Sequence, residues 1–180
     1  MVNYPAKLHN YRNLAARVDA LCCRIAREYM DCLACREGCD DCCRHISIFP
    51  VEAAALSMGL RELPKDEGAR IRELARAASA NACPLLENGR CLLYAARPII
   101  CRTHGFPLLA DREEAKAIDF CPKNFIGTSS FPAAAVIDLD RLNTTLAAIN
   151  AVFTASSCFS PRSSQERLTI AEALLLDVIF

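Results

Sequence analysis

The sequence has no excess of charge of either sign, since 21 lysine and arginine side chains match 21 aspartate and glutamate side chains. A strongly basic chain would attract nucleic acid or an anionic membrane surface, and this chain carries no such global field. It also lacks any apolar run near the roughly 18 residues that a membrane-spanning helix needs. We therefore expect no nucleic-acid partner and no membrane span.

Three sequence signals of other protein classes are also missing. Residues 1–12 are polar and contain no uninterrupted apolar stretch of the signal-peptide kind, so we expect a cytoplasmic protein. There is no G-x-G-x-x-G loop and no arrangement of serine, histidine and acid that the sequence establishes. We assign no catalytic and no cofactor-binding residue, and leave open whether the chain is an enzyme.

Cysteine, in contrast, is abundant, with 12 in 180 residues. Four lie within nine residues, as Cys35-x3-Cys39-x2-Cys42-Cys43, and single cysteines follow at Cys83, Cys91, Cys101 and Cys121. Thiolates are soft ligands that select zinc, copper(I) or iron–sulfur clusters. In a reducing cytosol, clustered cysteines are more often metal ligands or redox groups than disulfides. The pattern predicts a metal–thiolate protein.

The spacing in the first run indicates which thiols can share a centre. Cys35, Cys39 and Cys42 are joined by short loops, so bringing them together has a small entropic cost. Cys43 is different, because adjacent side chains point apart unless the backbone is irregular. It completes the same cluster through a tight turn, serves a second metal, or is a spare thiol.

Residues 32–122 resemble the YkgJ-type cysteine-cluster family. Its members carry a CxxCxxCC-like run and then a C-x-I-Y-x-x-R-P-x-x-C-R segment, here Cys91-Leu-Leu-Tyr94-x2-Arg97-Pro98-x2-Cys101-Arg102. The family is described as zinc- or iron-chelating. The resemblance implies that eight cysteines hold the metal: Cys35, Cys39, Cys42, Cys43, Cys83, Cys91, Cys101 and Cys121. The first gap is one residue longer than usual, and Cys32 is an alternative to Cys35.

The identity of the metal stays open between zinc and a 4Fe–4S cluster. Structural zinc sites usually show two closely spaced cysteine pairs, whereas this chain has one crowded run and four separated cysteines. The C-x3-C-x2-C spacing matches the triplet that holds a 4Fe–4S cluster in radical S-adenosylmethionine enzymes, and is compatible with iron–sulfur chemistry.

Three functions are compatible with this reasoning. The first is a metal-binding protein with a redox, sensing or chelating role, with a protein partner as a further possibility. The second is a protein lysine N-methyltransferase-like enzyme using a 4Fe–4S cluster, because flagellin lysine N-methylases share the cysteine pattern. The third is a structural zinc-binding interaction module.

The apolar pattern predicts a mostly α fold in which a single domain, residues 1–180, places a helical shell around an irregular cysteine-rich middle. That middle, residues 31–122, is flanked by helices over 6–30 and within 138–178, where apolar residues recur at three- and four-residue steps. Ser163 and Glu166 have the spacing of a capping box for the last helix.

Shorter elements are predicted inside this frame. Proline-initiated helices are expected over 51–59, with Gly59 as the C-terminal stop, and over 65–80. Asn88-Gly89 is a strong hairpin signal within the middle. Residues 106–109 and 115–120 are expected to form a second small hairpin. Pro98 is expected to begin a helical turn that carries Cys101.

Several residues near the cysteine motifs have two interpretations. Arg97 and Arg102 either donate hydrogen bonds to ligand sulfurs or pair with carboxylates and helix termini. Under the second interpretation, Tyr94 packs in the core. Histidines His45 and His104 are interpreted as structural, because sulfur ligands are already in excess.

The cysteines outside the matched pattern receive no metal assignment. Cys22 lies on the apolar stripe of the first helix and is expected to be a small core residue. Cys23 follows it directly. Cys158 has no partner visible in the sequence.

The ligand assignment predicts a contrast between cysteine variants. Cys39→Ser or Cys42→Ser should lower both the metal content and the stability of the protein, because each removes a thiolate ligand. Cys158→Ser should change neither quantity. Metal analysis and thermal unfolding of the three purified variants measure this contrast, and equal metal content in all three would contradict the assignment.

Overall fold

A computed structural model describes residues 4–36, 38–79, 81–111, 115–156 and 167–176. The helices, in chain order, are α1 (Tyr4–Lys7), α2 (His9–Glu28), α3 (Pro50–Arg61), α4 (Lys65–Arg76), α5 (Ile99–Thr103), α6 (Leu139–Ser156) and α7 (Ile170–Leu174). The strands are β1 (Ser47–Ile48), β2 (Leu86–Glu87), β3 (Arg90–Cys91), β4 (Leu108–Asp111), β5 (Lys116–Asp119), β6 (Ile137–Asp138) and β7 (Leu168–Thr169). Helices dominate and the strands are short, so the predicted mostly α class is confirmed. None of the helices in these ranges is long and apolar enough to cross a membrane.

Helix α3 lies between two hydrophobic cores. Val51 and Ala54 pack into a first core with residues of α2, α5 and α6. Ala53, Leu56 and Leu60 pack into a second core with residues of α4, α7 and β1. A helix that is apolar around its whole circumference is stable only when it is buried, and α3 has this character.

A buried carboxylate joins the start of α3 to the start of α5. Glu52 is 3% exposed, and its two oxygens accept hydrogen bonds from the backbone N–H groups of Phe49 (3.0 Å) and Ile99 (2.9 Å). Burial raises the pKa of Glu52, while these two donors lower it. The first turns of helices leave N–H groups without intrahelical partners, so one side chain satisfies a donor at each of two helix starts. The Val51 N–H is satisfied in turn by the buried Asn150 amide of α6 (3.1 Å).

The strands form three small sheets. β2 and β3 make the hairpin predicted at Asn88-Gly89, where both turn residues have positive φ (50° and 71°), as a two-residue hairpin of this kind requires. The second predicted hairpin is also present, as antiparallel β4 and β5. β6 adds to β4 in parallel, and β1 pairs with β7 in antiparallel fashion. Neither of these last two pairings was predicted.

Gly59 does not end α3, which was the prediction, because the helix continues to Arg61. A Cβ atom placed on Gly59 would lie 2.5 Å from the Cβ of Ala96, far inside van der Waals contact. The glycine therefore allows the turn at Tyr94–Ala96 to rest directly against α3.

The later helix boundaries also differ from the predictions. α4 ends at Arg76 instead of residue 80. The predicted capping box of Ser163 and Glu166 lies outside the described residues. The last described helix, α7, has its own capping box, in which Thr169 and Glu172 exchange hydrogen bonds.

The close contact at Gly59 predicts an unusual response to alanine. Gly59→Ala should lower the free energy of unfolding by about 1–2 kcal/mol, since overpacking outweighs the helix preference of alanine. Adding Ala96→Gly should recover most of the loss. Denaturant-induced unfolding measures both effects.

Gly68 in α4 provides the matched control, because a Cβ there would meet its nearest neighbour at an ordinary 3.4 Å. Gly68→Ala should leave stability unchanged or raise it by up to about 1 kcal/mol. If Gly59→Ala behaves in the same way as Gly68→Ala, the packing role of Gly59 is wrong.

Candidate metal centre

The eight predicted ligands come from separate parts of the middle of the chain. Cys35, Cys39, Cys42 and Cys43 lie in the loop between α2 and β1, Cys83 precedes β2, Cys91 ends β3, Cys101 lies in α5 and Cys121 follows β5. Helix α5 begins directly after Pro98, as predicted. All cysteines within the described residues are free thiols. We divide the eight thiols into two sets by their contacts and charge interactions.

Cys35 and Cys121 belong to the first set and are held together by Asn124. The Asn124 amide is 1% exposed; its nitrogen donates to the Cys35 sulfur (3.1 Å) and to the Gly105 carbonyl (2.9 Å). Its oxygen accepts from the Ala34 N–H (2.9 Å). A Cβ on Gly105 would lie 3.1 Å from the Cys35 sulfur and 3.6 Å from the Cys121 Cβ. Both cysteines therefore lie next to Gly105, where a Cβ atom would approach them.

An ion pair and charge interactions between thiols connect the rest of the loop to Cys35 and Cys121. Asp41, between Cys39 and Cys42, forms an ion pair with Lys123, two residues after Cys121. Burial raises the pKa of Cys42, and repulsion from the thiolates of Cys35 and Cys39 raises it further. Cys35, Cys39, Cys42 and Cys121 are called the outer set, because Cys35 and Cys42 are exposed.

The second set consists of Cys43, Cys83, Cys91 and Cys101. An antiparallel bridge between Arg44 and Ala82 places the preceding Cys43 beside the following Cys83. Cys83 and Cys91 pack against the second core. We call these four the inner set, since none of them is exposed.

Charge interactions connect Cys101 with the other thiols of the inner set. Burial is the main cause that raises the pKa of Cys101 to about 12, and the thiolates of Cys83, Cys91 and Cys43 add to it. Burial likewise raises the pKa of Cys43 to about 11, followed by repulsion from Cys42, Cys83 and Cys91. In an apolar setting a thiolate is unfavourable unless a cation or metal ion stabilises it.

The two sets are groupings of thiols and not finished coordination shells. Within the part of the chain that is described, no three histidine, cysteine, aspartate or glutamate side chains have the geometry of a metal site. A zinc–sulfur bond of about 2.3 Å would require side chains in each set to turn towards one point. The donor chemistry itself fits zinc or an iron–sulfur cluster, since each set offers four soft sulfur donors and no oxygen donor.

Asn124 and its neighbours have no signal in the sequence. Gly105 has φ of 87°, which favours glycine, and Phe125 has φ of 56°, which is unusual for an aromatic residue. Phe125 is held there by a hydrogen bond from its N–H to the Cys32 carbonyl (2.6 Å) and by edge-on packing against Phe120 and Phe131. These long-range contacts fix Asn124 next to Cys35.

The arginines of the second motif make protein contacts. Arg102 donates to the Asp19 carboxylate (2.5 Å) and to the carbonyls of Arg97 (2.7 Å) and Ala95 (2.8 Å), which is the structural interpretation. The Arg97 guanidinium lies 3.5 Å from the centre of the Tyr94 ring. Tyr94 is 63% exposed, so the interpretation of Tyr94 as a core residue is wrong.

The positive charge of Arg97 also acts on a thiol of the inner set, Cys91. Burial raises the pKa of Cys91, and the positive charge of Arg97 opposes that rise. Lys123 has the corresponding position at the outer set, where Asp41 first and then the thiolates of Cys39 and Cys121 raise its pKa. Among the described residues, Arg97 and Lys123 therefore bring positive charge to the inner and the outer set respectively.

The histidines have structural partners. His45 Nδ1 lies 2.9 Å from the Ser79 carbonyl and its Nε2 lies 3.3 Å from the Ala171 nitrogen, so both ring nitrogens are engaged by the backbone. A neutral ring that donates from Nδ1 and accepts at Nε2 satisfies both contacts. His104 is half-buried, and burial lowers its pKa.

Of the cysteines outside the two sets, Cys22 is buried in the first core, as predicted, and its thiol lies 3.5 Å from the Arg102 carbonyl. Cys23 is exposed. Cys158 lies outside the described residues.

Comparison with known proteins identifies one match. Residues 34–122, which include both thiol sets, match the family model CxxCxxCC, described as "Putative zinc- or iron-chelating domain". The predicted family resemblance is thereby confirmed over these residues. No curated protein and no solved structure matches the chain. The similarity to flagellin lysine N-methylases stays a prediction.

The position of Asn124 predicts that removing its side chain lowers both the stability of the protein and metal binding at the outer set. Asn124→Ala should lower the free energy of unfolding by about 1–3 kcal/mol, because the Ala34 N–H and the Gly105 carbonyl lose the hydrogen bonds that they make with the buried amide. It should also lower the metal content. Denaturant-induced unfolding and metal analysis of the purified variant measure the two effects.

Asn143 is the control, since it is an exposed asparagine of α6. Asn143→Ala should change stability by no more than about 0.5 kcal/mol and leave the metal content unchanged. Equal behaviour of the two variants would show that Asn124 has no special role.

Proposed function

Since residues 34–122 match the CxxCxxCC family model, we propose that this chain chelates zinc or an iron–sulfur cluster through its eight grouped cysteines. The observation that supports the proposal is that specific contacts join three distant stretches of chain that carry these thiols, residues 35–43, 83–101 and 121. Their approach is maintained by specific contacts, of which the Asn124 amide and the Arg44–Ala82 bridge are the clearest.

The irregular middle of the chain gives the metal a structural role. Its strands β2 and β3 are two residues long each, and isolated strands of that size are marginally stable in water. Metal–thiolate bonds join segments that are far apart in sequence, and their free energy is then available to folding. Chelation and stabilisation of the middle are therefore one process.

The charges around the thiols support chelation. Four thiolates leave a net negative charge on a bound zinc ion, and on a 4Fe–4S cluster as well. Lys123 at the outer set and Arg97 at the inner set provide positive charge where it is needed. The thiols would bind metal as thiolates, so metal binding releases protons and strengthens as the pH rises.

The choice between zinc and iron decides the role beyond chelation. Both a four-cysteine zinc site and a 4Fe–4S cluster use four thiolates. Iron would supply a redox centre for electron transfer or sensing, whereas zinc has no redox chemistry of its own and would leave a chelating or structural role.

Metal and acid-labile sulfide analysis of anaerobically purified protein, with a visible spectrum, tests the proposal. A brown protein with iron and sulfide in equal amounts would establish a cluster. A colourless protein with stoichiometric zinc and no sulfide would establish the zinc alternative. In either case, removing the metal with a chelator should lower the midpoint of thermal unfolding, because the middle loses its cross-links.

The exposed Cys23 provides the control, because it lies outside both sets. Cys23→Ser should retain the full metal content. The proposal is wrong if the purified protein, and the reduced metal-free protein after incubation with zinc or with ferrous iron and sulfide, contain no stoichiometric metal.

A further inference from the structure

We propose that the chain holds two separate four-cysteine metal centres, one in the outer set and one in the inner set. The outer centre comprises Cys35, Cys39, Cys42 and Cys121, and the inner centre comprises Cys43, Cys83, Cys91 and Cys101. This inference rests on the proposed function, and it assigns every matched cysteine to one of the two centres. It assigns Cys43 to a second metal, which is one of the three alternatives that the spacing leaves open.

The outer centre is defined by backbone and side-chain contacts around Cys121. The Asn124 side chain contacts the Cys35 sulfur, and the Asn124 N–H donates to the Cys121 carbonyl (2.9 Å). The ion pair of Asp41 with Lys123 brings the turn between Cys39 and Cys42 to the same place. A cysteine 79 or more residues downstream of the loop thus joins three cysteines of the loop.

The inner centre is defined by the bridge and the hairpin. The Arg44–Ala82 bridge places Cys43 next to Cys83. The Leu86 N–H donates to the Cys83 carbonyl (3.1 Å), and Leu86 is paired with Cys91 across the hairpin. After burial, the negative charges of Cys83, Cys91 and Cys43 contribute to the raised pKa of Cys101, as expected of thiols that lie near one another.

The division falls at the peptide bond between Cys42 and Cys43. Cys42 lies in a turn, and its carbonyl accepts a hydrogen bond (3.0 Å) from the N–H of Arg44, the residue that enters the bridge. The backbone is therefore bent at Cys43, and the thiols of Cys42 and Cys43 interact with each other. Beyond that mutual contact, Cys42 is influenced by Cys35 and Cys39, whereas Cys43 is influenced by Cys83 and Cys91. The Gly38 N–H donates to the Gly89 carbonyl (3.3 Å), which holds the outer loop on the hairpin of the inner set. The two centres are neighbours that share this contact.

The centres differ in access to solvent. Two cysteines of the outer set are exposed, whereas all four of the inner set are partly buried and two of them pack against the second core. A chelator in solution should therefore remove metal from the outer centre first.

Cobalt(II) is the probe, because thiolate-to-cobalt absorption reports sulfur ligation directly. Reduced, metal-free protein is titrated with cobalt(II) in the presence of a competing chelator that removes incompletely ligated metal. The full chain should retain two cobalt ions, and a stronger chelator should then release them in two phases of equal amplitude. Cys121→Ser should abolish the fast phase alone.

The double variant Cys39→Ser/Cys121→Ser decides the partition, because both substitutions fall in the outer set. It should retain one cobalt ion with unchanged four-thiolate absorption. If instead the four cysteines of the first run shared one centre and the four downstream cysteines another, this variant would retain none. Retention of one cobalt ion would also show that the variant is folded, since an unfolded chain would lose the inner ion as well.

The remaining variants complete the test. Cys121→Ser/Cys91→Ser removes one ligand from each set and should retain no cobalt, whereas the control Cys23→Ser should retain two ions. Retention of one ion by the unmodified chain, or of none by Cys39→Ser/Cys121→Ser, overturns the two-centre assignment and leaves chelation intact. Retention of no cobalt by the unmodified chain overturns the two-centre assignment; if zinc, or ferrous iron with sulfide, also fails to bind, chelation itself is overturned.

Discussion

The buried carboxylate of Glu52 is the interaction on which the connection between the helices and the cysteine-rich middle depends. It lies in α3, the helix that both cores share, and it accepts the first free N–H of α5, the helix that carries Cys101. Burying a carboxylate is unfavourable unless hydrogen bonds replace its lost water, and here two backbone donors do so. Without this side chain, two N–H groups in a closely packed region would lack partners, at about 1–3 kcal/mol each. The helical shell thus positions Cys101 through the hydrogen bond between Ile99 and Glu52, a polar contact that lies among apolar side chains.

Local sequence patterns were sufficient for the elements whose stability is local. The apolar stripes predicted the long helices, and Asn88-Gly89 predicted a hairpin, because these signals depend on neighbours a few residues away. Gly59 was misinterpreted for the opposite reason. In isolation a glycine near the end of an apolar stretch is a plausible helix stop, and only the contact with Ala96 shows why α3 continues through it. The pairings of β6 with β4 and of β7 with β1 were likewise invisible, since each joins segments that are distant in sequence.

In the candidate site, too, local features were predictable from the sequence and long-range contacts were not. Cysteine chemistry and the family motif identified the eight candidate thiols, but sequence spacing placed Cys43 no more firmly with its neighbours than with a second metal. Asn124 was missed because an asparagine becomes informative only when its three polar partners, Ala34, Gly105 and Cys35, are known. Arg102, which was a candidate donor to sulfur, instead secures the loop before α5 to Asp19 of α2. The ligand roles of the eight cysteines stay a prediction that metal analysis decides.

The pairing of β1 with β7 has a consequence for the order of events during translation. His45, two residues before β1, contacts Ala171, which lies 126 residues further along the chain. At a synthesis rate of about 5–20 residues per second, the ribosome needs roughly 6–25 seconds to add the partner of that histidine. Only the last 50 residues of that interval, about 2.5–10 seconds at the same rate, follow Cys121. During this shorter window every thiol of the two sets has been made, while part of the second core has no cover from α7. A metal ion that binds the nascent chain in this window would meet an open second core, which β7 and α7 cover only afterwards.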